Sequence, residues 1–239
     1  MVNKIKLEKL IKQFRFSMSV DFEKLPEEER VRIFKNAKLI ELKRKQILYK
    51  QHEKVEGVYL LKSGILKVFR TDLNGNSQIL FFYRPGEFFG YQPIFGNLLH
   101  PIGVAAIEDC EILVIDKNIF IEITQSSTKL CNELLKGYSS EYTVFVNRMN
   151  ICSQIGKRER LALLLLVLND KFRTINNQEI DSPAEIKLTR TDLASFVGTS
   201  LENLIRMLNY FKEKKLIRVK GKSIFIENFD GLLAMITFE

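Results

Sequence analysis

The chain has 239 residues, 46% of them hydrophobic, and a formal net charge of +8, a composition that suits two modest globular domains and an acidic partner. Its longest uninterrupted apolar run is Leu161 to Leu168, too short for a membrane span, and Met1-Val-Asn-Lys-Ile-Lys-Leu lacks a signal-peptide core, so a cytoplasmic protein with no membrane partner is expected. Three widely spaced cysteines, Cys110, Cys131 and Cys152, form no C-x-x-C pair and argue against a disulfide framework or a zinc site, so neither a metal nor a cofactor is expected.

Residues 1–24 read as an amphipathic helix (Ile5, Leu7, Leu10, Ile11, Phe14) and an irregular link, an extension that braces the next domain. A second domain follows over 25–116. Pro26 opens a short helix with Glu27, Glu28 and Glu29 in its first turn, where the helix dipole favours them. Seven apolar runs then alternate with turn signals: Lys38 to Leu42, Gln46 to Tyr49, Val58 to Lys62, Ile65 to Arg70, Gln78 to Tyr83, Gly103 to Ala106 and Cys110 to Ile115. Many short strands in this rhythm predict a β-sandwich or jelly roll. Residues 117–153 predict one long helix in which Cys131, Leu135, Tyr138, Tyr142, Phe145, Met149 and Cys152 recur at alternating steps of four and three. That heptad is a dimerisation stripe, with Leu134 and Val146 beside it available to pack on the protomer itself. Residues 154–239 form the last domain: a hinge at Gln154 to Lys157, an apolar helix from Arg158 to Phe172, and a surface loop from Thr174 to Ala184.

The stretch from Leu188 to Leu216 contains two short helices around Gly198. Thr189 with Asp192 forms a capping box, Gly198 supplies the turn, and Ser200 caps the second helix. Leu201, Leu204, Ile205, Leu208 and Phe211 form the second helix's apolar face and leave Glu202, Asn203 and Arg206 on another. Leu216 to Glu227 alternates around Lys220-Gly221-Lys222 and predicts a hairpin with a basic tip. A helix-turn-helix followed by such a wing is a winged helix, and in such motifs the second helix enters the DNA major groove, where an arginine can bond guanine and a glutamate can accept from cytosine. Charge is distributed accordingly: residues 157–223 hold 14 Lys/Arg against 8 Asp/Glu, whereas residues 51–156 hold 9 against 11. No nucleophile-base pairing, P-loop or metal-ligand spacing suggests catalysis, so no catalytic residue is assigned and an enzyme is not expected.

Leu188-Thr-Arg-Thr-Asp-Leu-Ala, Val197-Gly-Thr-Ser-Leu-Glu-Asn-Leu-Ile-Arg206 and Leu216-Ile-Arg-Val-Lys-Gly-Lys222 resemble the DNA-binding domain of the Crp/Fnr family of bacterial transcription regulators. Val58-Tyr-Leu-Leu-Lys-Ser-Gly-Ile-Leu-Lys-Val-Phe69 and Arg84-Pro-Gly-Glu-Phe-Phe-Gly90 resemble that family's β-roll sensor, so the resemblance runs from about Leu25 to Phe229. It implies an α+β fold with an N-terminal jelly-roll sensor, a long dimerisation helix and a C-terminal winged helix-turn-helix. It also implies a homodimer on a palindromic duplex operator, in contact with RNA polymerase. Leu201, Glu202 and Arg206 would read bases, and Thr189, Arg190, Thr191, Ser200, Asn203, Lys220 and Lys222 would hold the DNA backbone.

The sensor departs from the family's cyclic-nucleotide pattern. Tyr91 stands where a ribose-binding glutamate is expected, Pro101-Ile102 where an Arg-Ser pair is expected, and Phe145-Val146 where hydroxyls would reach the base. Without an arginine, a buried cyclic phosphate forgoes charge-assisted hydrogen bonds of roughly 1.5 to 3 kcal/mol each, so control by cyclic AMP is not expected. Phe81, Phe89, Tyr91, Ile102 and Phe145 remain a candidate pocket for an unidentified effector. The alternative reading is a regulatory protein that does bind a nucleotide or other small effector in the β-roll. His52 and His100, the two histidines, are expected in loops or at the surface. The resemblance also excludes the iron-sulfur branch, whose N-terminal cysteine cluster has no counterpart before Cys110.

Overall fold

The computed structural model describes residues 4–15, 25–96, 99–173 and 180–236. The link expected over 16–24, much of the loop expected after Phe172 and the side chain of Cys152 lie outside the described residues. The chain divides into two compact units, one of Phe16–Tyr142 and one of Met1–Arg15 with Thr143–Glu239.

In the first unit, helix α2 (Glu27–Lys35) precedes strands β1 (Lys38–Leu42), β2 (Ile47–Tyr49), β3 (Gly57–Ser63), β4 (Leu66–Thr71), β5 (Ser77–Tyr83), β6 (Phe88–Phe89), β7 (Gly103–Ala106) and β8 (Cys110–Asp116). Two four-stranded antiparallel sheets result, ordered β1-β8-β3-β6 and β2-β7-β4-β5. This is the predicted β-roll, with β6 added by pairing of Phe88 and Phe89 to Leu60 and Tyr59. Buried apolar residues of both sheets, among them Val58, Leu61, Leu66, Val68, Phe82, Val104 and Ile112, make up the core of this unit. Gly90 is positive in φ at 82°, and a Cβ there would meet the Tyr59 ring at 2.7 Å, so a side chain is barred on both counts.

The single long helix expected after β8 is two helices, α3 (Lys117–Ser126) and α4 (Thr128–Gln154). Local capping explains the break. Asp116 Oδ1 accepts from the amides of Asn118 and Ile119 to start α3, and Ser127 Oγ accepts from the Leu130 amide to start α4 while donating to Glu29. On α4, Leu130, Leu134, Glu141, Val144 and Ile151 are buried, a stripe one residue out of step with the predicted heptad. Leu134 packs on the protomer as expected, but Val146 is 44% exposed and lies on the outer side.

The second unit holds α1 (Lys4–Phe14), α5 (Lys157–Phe172), β9 (Ile186–Lys187), α6 (Arg190–Val197), α7 (Leu201–Glu213), β10 (Ile217–Lys220), β11 (Ser223–Ile226) and α8 (Phe229–Ala234). The three strands form an antiparallel sheet ordered β10-β11-β9, so the predicted hairpin gains a short third strand from residues just after the expected loop. The N-terminal helix, expected as an extension of the β-roll domain, belongs to this unit, where it packs on α5.

Candidate nucleic-acid interface

The two helices expected around Gly198 are α6 and α7. Thr189 caps α6, its Oγ1 accepting from the Asp192 amide at 3.0 Å and donating to the Asp192 carboxylate at 2.6 Å. Gly198 sits at φ 72°, ψ 50°, and its amide satisfies carbonyls at the end of α6. Ser200 Oγ accepts from the Asn203 amide at 3.3 Å and starts α7. Leu193, Ala194, Phe196 and Val197 of α6 and Leu204, Met207, Leu208 and Phe211 of α7 are buried, which locks the helices together.

That packing presents the first two turns of α7 to solvent. Leu201 is 44% exposed, Glu202 and Arg206 are exposed, and Asn203 is half-buried. Arg206 is held over this surface by a hydrogen bond to Asn203 Oδ1 and by Glu202, whose carboxylate lies 3.9 Å away. The structure therefore gathers all three predicted base readers on one face. It corrects the predicted apolar face, because Ile205 is 45% exposed and belongs with Leu201 on the outer surface, while Met207 takes a buried place.

The wing is joined to this surface by Arg190. Its guanidinium donates to the Lys222 and Gly221 carbonyls, both at 3.2 Å, and burial lowers its pKa. Arg190 thus spends its donors on positioning the hairpin tip, where Gly221 takes φ 58° and Lys220 and Lys222 are exposed. Thr191 is exposed on the first turn of α6. A cleft of about 620 Å³ beside Arg206 is lined by Gly156, Lys157, Arg158, Glu159, Asn203 and Met207, and Arg158 stacks on the Tyr210 ring at 4.6 Å. Sequence reading missed Lys157 and Arg158 as neighbours of α7 across this cleft; their basic charge at the start of α5 was the available signal.

Of the predicted heptad, Leu135, Tyr138, Tyr142, Phe145 and Met149 are 54–66% exposed, large apolar side chains on one helix face, and Cys131 at its start is half-buried. Cys131 Sγ bonds the Thr124 carbonyl at 2.9 Å. Of the candidate effector pocket, Phe89 and Tyr91 are buried in the β-roll, Phe81 and Ile102 are half-buried, and Phe145 is exposed. Phe89 stacks on Tyr83 at 4.3 Å, and Tyr83 meets Phe81 edge-on at 5.3 Å, so Phe81 and Phe89 share an aromatic core cluster.

Polar groups lie inside that core. Glu141 of α4 accepts from Gln92 Nε2 at 2.7 Å, and burial raises its pKa to about 7 against the opposing effects of Gln92 and Tyr91. The Tyr91 hydroxyl faces the same carboxylate without meeting hydrogen-bond geometry, and neither it nor Glu141 Oε1 has a hydrogen-bond partner among the described residues. His52 is exposed as expected, but His100 is buried, its ring stacked on Tyr49 at 3.6 Å, and burial lowers its pKa to about 4. Among the described residues no group of three or more His, Cys, Asp or Glu could hold a metal ion, and no helix is long and apolar enough to cross a membrane.

Comparison with known proteins agrees with this architecture. The family model for the cyclic nucleotide-binding domain matches residues 39–127, and that for the Crp-like helix-turn-helix domain matches residues 159–235. The chain is 26% identical over 196 residues to the anaerobic regulatory protein of Haemophilus influenzae, covering 81% of this chain and 74% of that one. It is 28% identical over 189 residues to the fumarate and nitrate reduction regulatory protein of Yersinia pestis, covering 78% and 74%. The structure of FixK2 from Bradyrhizobium japonicum superposes with a TM-score of 0.76 at 19% identity, covering 85% of this chain and 98% of that one. A β-roll followed by a winged helix-turn-helix, matched in both parts and in this order, makes the chain a DNA-binding member of the Crp/Fnr family of transcription regulators.

Proposed function

We propose that the protein acts as a homodimer on a palindromic duplex operator, with the N-terminal half of α7 in the major groove. The observation that carries this reading is the joint exposure of Leu201, Glu202 and Arg206 on one helix face beside a basic wing. Arg206 matches a guanine edge, Glu202 a cytosine amino group, and Leu201 only an apolar feature such as a thymine methyl. Thr191, Lys220 and Lys222 lie around that face as phosphate partners, with Thr189, Arg190, Ser200 and Asn203 setting the register of helix and wing. The exposed apolar stripe on α4 supports dimerisation, because two copies of a three-heptad seam bury each other across a two-fold axis. Half-sites one helical turn apart, about 34 Å, follow from that symmetry. Contact with RNA polymerase belongs to the same proposal, as does the division into an extension (1–24), sensor (25–116), dimerisation helices (117–153) and DNA-binding domain (154–239).

Control by cyclic AMP does not fit the side chains of the sensor. Tyr91 is buried where the family's ribose-binding glutamate would stand, and Pro101-Ile102 offers no guanidinium for a phosphate. An effector, if one acts there, has to suit an aromatic interior containing Glu141 and Tyr91. The test is selection of bound duplexes from a random pool by the purified protein without added nucleotide. Recovery of one palindromic sequence supports the proposal; recovery only after nucleotide is added supports the alternative, a nucleotide-dependent regulator.

A further inference from the structure

Eleven consecutive residues of α5, Leu161 to Lys171, are buried. Three turns of helix without a solvent face require neighbours all round. The winged-helix elements α6, α8, β9 and β11 cover part of α5, and α1 packs against it as well. On α1, Leu7, Leu10, Ile11 and Phe14 form one apolar face that is 0–9% exposed, while Lys6, Glu8, Lys9, Lys12 and Gln13 face outward. Directed contacts fix the docking. Arg15 reaches Asp170, a carboxylate only 1% exposed, at 3.1 Å, and Arg173 binds the other oxygen at 2.8 Å. Lys4 lies 3.6 Å from Asp181, and Asn147 of α4 donates to the Gln13 carbonyl at 3.0 Å.

We propose that α1 is a strap that completes the core of the DNA-binding unit, so that the unit is discontinuous in sequence and its folding depends on residues preceding the sensor. A residue such as Leu7, fully buried although it stands near the start of the chain, is anchored rather than frayed. The strap also gives the DNA-binding unit a second covalent route to the sensor, besides α4. Its basic outer face is not what holds it; the apolar face and the Arg15–Asp170 pair are.

The test is hydrogen exchange and thermal unfolding of the full chain carrying Leu7→Asp with Ile11→Asp, beside Phe14→Ala as a milder variant and Lys9→Glu on the outward face. The two inward variants are expected to lose amide protection along α5 while β3 and β8 keep theirs, and the double variant to lower the transition of the DNA-binding unit by about 10 °C or more. DNA affinity falls with the fraction of the unit left folded. A chain without residues 1–15 regains protection in α5 when a peptide of those residues is added in excess. Unchanged α5 protection in the inward variants, or no rescue by the peptide, overturns the proposal. So does loss of α5 protection in the Lys9→Glu chain, because the outward face rather than the apolar one would then hold the helix.

Discussion

Replacing Glu141 with glutamine should stabilise the sensor unit, and the gain should depend on pH. Glu141 is 8% exposed, has a pKa of about 7 in place of 4.5, and keeps one oxygen without a hydrogen-bond partner among the described residues. Its folded pKa is raised, so the charged form is the one the fold disfavours. Below about pH 4.5 the group is protonated folded or unfolded and costs nothing; the penalty then grows with pH and is complete above about pH 7. A rise of about 2.5 pKa units corresponds to roughly 3 kcal/mol. Glutamine is neutral, nearly the same shape, and its carbonyl can accept the Gln92 amide. The variant should therefore exceed the parent by up to about 3 kcal/mol near pH 8, an increase of roughly 10 °C in the sensor transition, and should match it near pH 4. Denaturant unfolding of both chains across that range, followed by sensor tyrosine fluorescence, measures the difference directly. An offset that is the same at both ends of the range would refute the reasoning, since it would reflect packing rather than the proton.

Tyr142→Glu with Phe145→Glu places like charges on both sides of the α4 stripe and should give monomers by sedimentation, with operator binding lost; a dimeric double variant would remove that helix from the interface. Serine at Cys110, Cys131 and Cys152 together should leave DNA affinity unchanged in reducing and oxidising buffer, because burial pushes the Cys110 thiol up to about 11 and Cys131 bonds a backbone carbonyl; redox-dependent affinity would contradict this. Lys222→Ala should weaken all DNA sequences alike and reduce the salt slope by about one, as measured by titration at several salt concentrations. Leu201→Arg should shift one selected base towards guanine in a repeated selection.

The β-roll and the winged helix were legible because their strands alternate and their helix starts carry explicit caps. Thr189 with Asp192, Gly198 and Ser200 each act locally, so residues close in sequence decide the outcome. Features that depend on distant partners were not legible. The apolar period of α1 defines a face but not what it covers, and its partner α5 lies about 150 residues away. Ile205 satisfied the apolar period of α7 yet points outward, because the side chains this helix buries are Leu204, Met207, Leu208 and Phe211. A serine hydroxyl interrupts the expected long helix, since Ser127 caps α4 and reaches Glu29. Glu141 carried no sequence signal at all: an acid in a helix ordinarily reads as a solvated face, and only the neighbouring Tyr91 and Gln92 reveal it as buried.

The central claim, that α7 reads bases through Arg206, is tested most directly by titrating wild type and Arg206→Ala against the selected operator and against random duplex of equal length at one salt concentration. Loss of the arginine should cost about 1 to 3 kcal/mol on the operator, on the order of 10- to 100-fold, relax the choice at one base pair, and leave affinity for random DNA nearly unchanged. Equal weakening on both duplexes would contradict the account, because Arg206 would then be a phosphate contact and α7 would not lie in the groove.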